Sequence, residues 1–113
     1  MDIENSKAQM KKGILEYCIL SIISRGEAYA SDILEEMKAS QLLVVEGTLY
    51  PLLSRLKNEG LLSYNWVESK SGPPRKYYQL TPDGAAFMNG LGKTWTELVA
   101  AVNALTEKTN NQN

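Results

Sequence analysis

The residues best suited to chemistry lie in one short stretch, VEGTLYPLLSRLKNEGLL, from Val45 to Leu62. Its leucines recur at the spacing of one helix face, so the opposite face presents the remaining residues. That face is small, aromatic and polar, and its candidate residues are Thr48, Tyr50, Pro51, Ser54 and Arg55. Hydroxyl and guanidinium groups on a narrow helix face can donate hydrogen bonds to phosphates and base edges. The pattern therefore predicts a face that enters a nucleic-acid groove; an ordinary solvated helix face is the alternative.

Pro51 raises the question of where this helix begins, because proline inside a helix removes a backbone hydrogen bond. If Thr48 is the cap, Pro51 is the third helical residue, a position whose N–H has no intrahelical partner. We therefore predict a helix that starts at Thr48, tolerates Pro51 and stops at Gly60. Free N–H groups at such a start bind phosphate, which gives Thr48 a second role as a phosphate contact.

A second group of cations lies further along the chain, on a predicted β-hairpin. Residues 61–68 (LLSYNWVE) and 75–80 (RKYYQL) are rich in strand-forming side chains, and SKSGPP between them is typical of a turn. The cations of the hairpin are Lys70, Arg75 and Lys76, and aromatic residues are interleaved with them. A basic hairpin predicts contacts with phosphates, whereas a merely solvated turn would need no partner.

Residues that usually carry catalysis or bind metals are scarce. The 113 residues include no histidine and one cysteine, Cys18. Histidine is the commonest general base and metal ligand, and a lone cysteine makes neither a CxxC pair nor an internal disulfide. We therefore expect no enzymatic activity, no cofactor and no metal, with Cys18 as a buried thiol in a cytoplasmic protein. No apolar run reaches the ~18 residues of a membrane span, so no membrane partner is expected.

The balance of charge limits how nucleic acid could be bound. The chain has 12 Lys+Arg and 13 Asp+Glu residues, a formal net charge of −1. Such a chain is not attracted to nucleic acid as a whole, so binding needs a local basic surface. Lys11 and Lys12 either add to that surface by touching the nucleic-acid backbone or form an ordinary exposed pair; the sequence leaves both open.

These residues need a scaffold, and the sequence predicts three helices, the hairpin and a long last helix. The first helix, residues 10–24, is apolar nearly all round and must be covered on more than one side. A second helix starts at Ala30 or Ser31 and runs to Ser40, and a short connector joins it to the helix with Pro51. Three helices followed by a two-stranded hairpin is the winged helix-turn-helix plan. We predict a mainly α (α+β) fold, with a DNA-binding domain over residues 1–80 and a dimerisation helix with a polar tail over 81–113.

The last helix carries an apolar repeat. It starts at a capping threonine, Thr81, with Pro82 at its first helical position. Its apolar residues are spaced 3, 4, 3, 4 and 3 apart, as in a coiled-coil seam: Met88, Leu91, Trp95, Leu98, Val102 and Leu105. A helix of about 25 residues spans nearly 40 Å at ~1.5 Å per residue, which exceeds a small domain. We therefore predict a homodimer in which this helix packs on its mate and on the mate's first helix; packing on its own domain is the alternative.

Two motifs resemble the PadR-type transcriptional regulators, a family of small winged-helix repressors. GTLYPLLSRLKNEGLL is very similar to the family's recognition-helix signature, and GPPRKYYQLTPDG to its wing and the following helix start. The resemblance runs from about Met10 to Leu105, and the single last helix is similar to the short subfamily, which contains multidrug-binding regulators. The chain departs from the pattern at YASD (residues 29–32). After the first aromatic residue the family usually has a glycine and then a second aromatic residue, whereas this chain has Ala30 and Ser31.

The resemblance implies a DNA-binding repressor that acts as a homodimer on a palindromic operator in double-stranded DNA. It also implies a small planar hydrophobic effector that stacks on Trp95 in the dimer seam and releases the repressor. The partner's Tyr17, together with Leu91 and Val99 one turn either side of Trp95, would line the rest of that pocket. A plain dimer anchor is the alternative role for Trp95. For the whole protein the rival is a winged-helix module for protein–protein assembly that does not bind DNA.

Overall fold

The computed structural model describes residues 2–111. Its helices and strands are α1 (Ile3–Lys12), α2 (Leu15–Ser24), β1 (Ala28–Tyr29), α3 (Ala30–Ala39), α4 (Glu46–Asn58), β2 (Leu62–Ser69), β3 (Gly72–Leu80) and α5 (Pro82–Asn111). The strands form one antiparallel sheet in the order β1-β3-β2. This is the predicted winged helix-turn-helix with a long last helix, and β2 with β3 forms the wing. Residues 112–113 of the predicted polar tail lie outside the described residues.

The predicted first helix is two helices, so the single helix expected over residues 10–24 is wrong. α1 begins after Asp2, whose carboxylate accepts a hydrogen bond from the Glu4 N–H at 3.0 Å. It ends at Gly13, and a turn closed by the Ile14 N–H at 3.0 Å leads the chain into α2. No residue of α1 is buried. The helix therefore has no apolar stripe from which periodicity could have predicted it.

Helix α4 begins at Glu46 with Val45 as its cap, so the predicted start at Thr48 is wrong. Thr48 is the third helical residue and Pro51 the sixth. Pro51 consequently lacks an N–H that would otherwise bond to the Gly47 carbonyl. Gly47 is exposed, so water can satisfy that carbonyl. The helix tolerates the proline because the orphaned acceptor faces solvent, not because the proline lies in the first turn.

The end of α4 agrees with the prediction. Gly60 has a φ of +80°, in the left-handed region that glycine adopts without strain. The N–H groups of Gly60 and Leu61 donate to the carbonyls of Lys57 and Leu56, each at 3.0 Å. This is the Schellman pattern of helix termination. Leu56 and Leu61 are both buried, so the turn is fixed to the core and sets the direction in which β2 leaves.

The wing differs from the prediction at its turn. Lys70 and Ser71 separate the two strands, so Pro73 and Pro74 lie in β3 rather than in a loop. Proline cannot donate to a neighbouring strand. β1 pairs with β3 only near the other end of that strand, so the prolines lie where β3 has no neighbour on its outer side. Strand β1 was not predicted, because a strand of two residues is too short to show an alternation of apolar and polar side chains.

The core lies between helices α2, α3 and α4 and the sheet. Its fully buried side chains are Ile19, Leu20, Ile33, Met37, Leu49, Leu53 and Leu56. The first turn of α5 packs directly on the turn between α4 and β2, because a Cβ on Gly84 would lie 2.0 Å from the Leu61 carbonyl oxygen. Thr81 caps this turn as predicted, and its hydroxyl accepts a hydrogen bond from the Gly84 N–H at 3.0 Å.

Helix α5 extends well beyond this core. Its 30 residues span about 45 Å at ~1.5 Å per residue, and the molecule measures 60 × 32 × 21 Å. The radius of gyration is 16.8 Å, against about 13 Å for a compact chain of this length. The far half of α5 therefore projects from the domain and exposes apolar side chains.

Candidate nucleic-acid interface

Helix α4 buries one face and exposes the other, as its leucine spacing predicts. Leu49, Leu53 and Leu56 are fully buried, which fixes the rotation of the helix about its axis. The residues of the opposite face are all exposed: Thr48, Tyr50, Pro51, Ser54 and Arg55. α4 thus presents a narrow polar face of a size that a DNA major groove can admit.

The exposed face of α4 has two edges. Tyr50 and Ser54, four residues apart, share one edge, and Thr48 and Arg55, seven apart, share the other. Pro51 lies between the two edges. Different elements of the fold border each edge, the wing on one side and helices α1 and α2 on the other.

Tyr50 and Ser54 face the wing across a concave surface. With Arg75 and Lys76 of β3 they line a cavity of about 300 Å³. Trp66 of β2 and the first residues of α3 complete its wall. Hydroxyl groups on one wall and cations on the other suit a phosphate backbone held beside the helix. The structure therefore brings these α4 and wing candidates together into one surface, called the concave surface below.

Arg75 is held in place by the start of α3. Its guanidinium donates to the Ser31 hydroxyl at 2.5 Å, and its Cζ lies 4.0 Å from the centre of the Tyr29 ring. Tyr29 in turn stacks on Tyr77, with ring centroids 4.6 Å apart. These contacts restrict the rotamers of Arg75, so less entropy is lost when it contacts an anion. Ser31 and Tyr29 were not predicted as supporting residues, although both lie in YASD, where the chain departs from the PadR pattern.

Lys76 lies over the aromatic side chains of the wing. Its Nζ is 4.6 Å from the centre of the Tyr64 ring and 5.5 Å from that of Trp66. Trp66 is 62% exposed, so indole and ammonium together form a cationic and partly apolar rim. Burial raises the pKa of Tyr78 beneath them, and the nearby Tyr50 and Tyr64 raise it further. The Tyr78 hydroxyl therefore stays protonated at neutral pH.

Arg55 does not line the concave surface and forms an ion pair with Glu16 of α2. The Arg55 side chain is 56% exposed and that of Glu16 23%. The carboxylate is thus held close to the domain while the guanidinium still meets solvent. An external anion would therefore compete with Glu16 for the charge of Arg55.

Thr48 and Lys70 lie apart from the concave surface. Thr48 borders a second cavity of about 390 Å³, together with Lys11 and Lys12 of α1. Lys70 is exposed in the turn at the tip of the wing. The predicted residues therefore form a central group, with Pro51 beside it, and three outlying residues, Thr48, Arg55 and Lys70.

The apolar stripe of α5 divides into two parts. Met88 and Leu91 pack against the core of their own domain. For these two residues the alternative to a dimer seam, packing of the last helix on its own domain, is the one observed. Trp95, Leu98 and Val102 are 43%, 53% and 53% exposed. The first part of the predicted seam thus serves its own domain, and the exposed part begins near Trp95.

Tyr17 packs on α5 of its own chain. Its hydroxyl lies 3.1 Å from the position that a Cβ on Gly92 would occupy. The chain's own α5 therefore covers part of α2 at this position, and the cover expected from a partner's helix stays a prediction. Gly92 is next to Leu91 and one turn from Trp95, so the structure still places Tyr17 close to these two predicted residues; Val99, half-buried, follows one turn later.

Groups for metal binding or thiol chemistry are not assembled in the part of the chain that the structure describes. Over residues 2–111, no cluster of His, Cys, Asp and Glu side chains could hold a metal ion. Cys18 is half-buried rather than fully buried, and burial raises the pKa of its thiol. Among the described helices, none has the length and apolarity needed to cross a membrane.

Proteins of known family share this architecture and sequence. Residues 19–89 match the transcriptional regulator PadR-like family. A PadR-like transcription factor from Bacteroides fragilis is similar at 57% identity, with 89% of this chain and 98% of that chain covered and a TM-score of 0.76. A PadR family transcriptional regulator from Eggerthella lenta is 30% identical, with 93% and 92% of the two chains covered and a TM-score of 0.85.

A more distant similarity is to Bacillus subtilis PadR, whose crystal structure is a complex with operator DNA. It is 26% identical with a TM-score of 0.65, and the match covers 69% of this chain and 46% of that chain. The family match extends from α2 into α5 and takes in the whole wing and recognition helix. The chain therefore belongs to the transcriptional regulator PadR-like family and is a regulator of transcription rather than an enzyme.

Proposed function

We propose that this protein is a cytoplasmic repressor that inserts α4 into the major groove of double-stranded DNA and lays its wing along the phosphate backbone. The observation that carries the proposal is the concave surface shared by α4 and β3, with hydroxyl groups on one wall and cations on the other. A net charge of −1 makes such a local surface necessary for DNA binding. The operator complex of Bacillus subtilis PadR supports this use of the fold.

The candidate residues of α4 and the wing divide by the contact each would make. Tyr50 and Ser54 lie on the exposed side of α4 and reach base edges, while Pro51 offers an apolar surface of the kind that meets a thymine methyl group. Arg75 and Lys76 lie on the facing wall and contact phosphates, which fixes the register without selecting a sequence. Specificity therefore rests on α4 and affinity on the wing.

The outlying candidates add contacts at the edges. Thr48 lies in the first turn of α4, whose cap, Val45, offers no side-chain acceptor to the first N–H groups. A phosphate there would accept from those N–H groups. Lys70 at the wing tip would contact the backbone further along, and Arg55 would join the interface by leaving Glu16.

A homodimer would present two copies of α4 to one duplex. Trp95, Leu98 and Val102 follow coiled-coil spacing on the projecting half of α5 and are exposed. A row of large exposed apolar side chains is typical of a protein interface. A two-fold seam along α5 makes the assembly symmetric, so the operator would be palindromic, with half-sites ~34–36 Å or a multiple of that apart.

A flat aromatic molecule would bind beside Trp95 and release the repressor from DNA. Leu91 and Val99 lie one turn to either side of Trp95, and Tyr17 reaches the same part of α5 at Gly92. Indole and phenol rings stack on planar guests. The pocket would open where the two copies of α5 diverge, so its occupant would alter the angle between the two DNA-binding domains.

Tryptophan fluorescence tests the effector site. The chain has two tryptophans, so Trp66→Phe leaves Trp95 as the sole emitter. We expect planar hydrophobic dyes to quench that variant saturably and to lose saturable binding in Trp95→Leu. Absence of saturable quenching, or equal dye binding in Trp95→Leu, would leave Trp95 as a dimer anchor only.

Fluorescence anisotropy with labelled duplexes tests DNA binding itself. One duplex carries the DNA upstream of the protein's own gene, and another of equal length has mixed sequence. Ser54→Ala should cost roughly 1–3 kcal/mol of binding free energy on the preferred sequence if Ser54 contacts a base. Arg75→Ala should weaken both duplexes alike, and Arg25→Ala, outside the concave surface, serves as the matched control. If DNA affinity does not depend on salt and is unchanged by Ser54→Ala and by Arg75→Ala, the rival role in protein–protein assembly is favoured.

A further inference from the structure

We propose that the basic end of α1, with Lys11 and Lys12, is a second contact for DNA phosphates, on the side of α4 opposite the wing. The inference rests on the proposed DNA-binding function and adds to it a surface outside the helix-turn-helix and wing. It concerns a helix that has no buried residue and that contributes no side chain to the core cluster.

The position of α1 relative to α4 carries the argument. Lys11 and Lys12 border the same cavity of about 390 Å³ as Val45 and Thr48, the cap and first turn of α4. Leu15 of α2 also lines this cavity and is buried in the core. The last turn of α1 is thus placed beside the start of the helix that enters the groove.

The two edges of α4 explain why cations would be needed there. A helix in the major groove has one phosphate backbone on each side. The edge with Tyr50 and Ser54 faces the wing cations, whereas the edge with Thr48 faces α1. Without α1, this second backbone would meet few cations, because Arg55 on the same edge is paired with Glu16.

The charges of α1 are distributed in the way that this role requires. Lys7 forms an ion pair with Glu4 at 3.3 Å. Lys11 and Lys12 have no ion-pair partner among the side chains that the structure describes. Glu46 in the first turn of α4 does not line the cavity. The free positive charge of α1 is therefore concentrated at the end that borders α4.

A salt titration of DNA affinity distinguishes phosphate contacts from a general effect of charge. Each phosphate contact contributes about 0.9 to the slope of log K against log salt concentration. We expect the double variant Lys11→Gln with Lys12→Gln to lower that slope by about 1.8 per protomer, on a mixed-sequence duplex and on upstream DNA alike. Lys93→Gln with Lys108→Gln, which removes the same charge from α5, should leave the slope unchanged. Lys11→Arg with Lys12→Arg should retain the unmodified slope.

Light scattering and thermal unfolding of the same variants complete the test. Unchanged mass and unfolding temperature in the α1 variant, with the reduced slope, support the phosphate contact. An unchanged slope, or an equal reduction in the α5 variant, overturns it. A change of oligomeric mass with an intact slope would assign this end of α1 to contact with a second copy, which also overturns it. If the unmodified protein shows no salt-dependent binding, the proposed function fails as well. If its binding depends on salt and the α1 variant has the same slope, only this inference fails.

Discussion

Replacing Glu16 with glutamine should strengthen DNA binding, because Glu16 competes with DNA for Arg55. The Arg55 side chain is 56% exposed in this ion pair, and exposed pairs contribute roughly 0.2–1 kcal/mol. Glu16→Gln removes the charged competitor, so the same free energy becomes available to binding. The expected gain in affinity is about 1.4- to 5-fold per protomer, and the loss of fold stability should not exceed that free energy.

Anisotropy titrations of four proteins measure this effect. Glu16→Gln should bind upstream DNA more tightly than the unmodified protein. Glu16→Gln combined with Arg55→Ala should bind like Arg55→Ala alone, since no guanidinium remains to be released. Glu36→Gln, which removes an equal charge from the ion pair with Arg25, controls for the change in net charge. Equal or weaker binding by a fully folded Glu16→Gln, or an equal gain in the Glu36 variant, would refute the competition.

Further variants test the wing, the dimer and the packing of α5. Arg75→Ala should lower the slope of log K against log salt by about 0.9 per protomer, and an unchanged slope would contradict a phosphate contact. Leu98→Glu with Val102→Glu should halve the mass seen by light scattering while circular dichroism keeps its helical signal; a persistent dimer would contradict the seam. Gly84→Ala should lower the unfolding free energy by about 1–3 kcal/mol, because its Cβ meets a backbone carbonyl. Gly90→Ala, with open space around it, should be neutral or stabilise by up to about 1 kcal/mol, and equal effects of the two would contradict the packing.

The periodic parts of the sequence predicted the fold well. The leucine stripe of α4 predicted which face of the helix is exposed, and Gly60 predicted where the helix ends. Strand-forming runs either side of a Gly/Pro segment gave the wing, and Thr81 with Pro82 gave the start of α5. Each of these features is local, so it is visible without knowledge of the tertiary contacts.

Features that depend on tertiary contacts were not predictable in the same way. Helix α1 lacks an apolar stripe, so nothing in its own sequence separates it from a polar leader. Val45 caps α4 without a side-chain hydrogen bond, and Thr48 therefore looked like the better cap. The Arg75–Ser31 hydrogen bond joins residues 44 positions apart, and the Arg55–Glu16 pair depends on how α4 crosses α2. The sequence identified the polar residues, but only the fold divides them between the concave surface and the edges.

The apolar stripe of α5 shows a similar division. Its regular spacing gave no indication that Met88 and Leu91 pack on the core while Trp95 and Leu98 are exposed. The covering of α2 by α5 of the same chain explains the difference. A seam that begins at Trp95 remains a prediction, as do the operator contacts and the effector site.

Selection of DNA from a pool of random duplexes tests the central claim most directly, because it requires no knowledge of the operator. The unmodified protein should retain duplexes and enrich an inverted repeat whose half-sites are about 10–10.5 base pairs apart or a multiple of that. Tyr50→Ala with Ser54→Ala should retain DNA through the wing but enrich no sequence. Failure of the unmodified protein to retain DNA, or enrichment of a site without two-fold symmetry, would contradict a dimer that inserts two copies of α4 into the major groove.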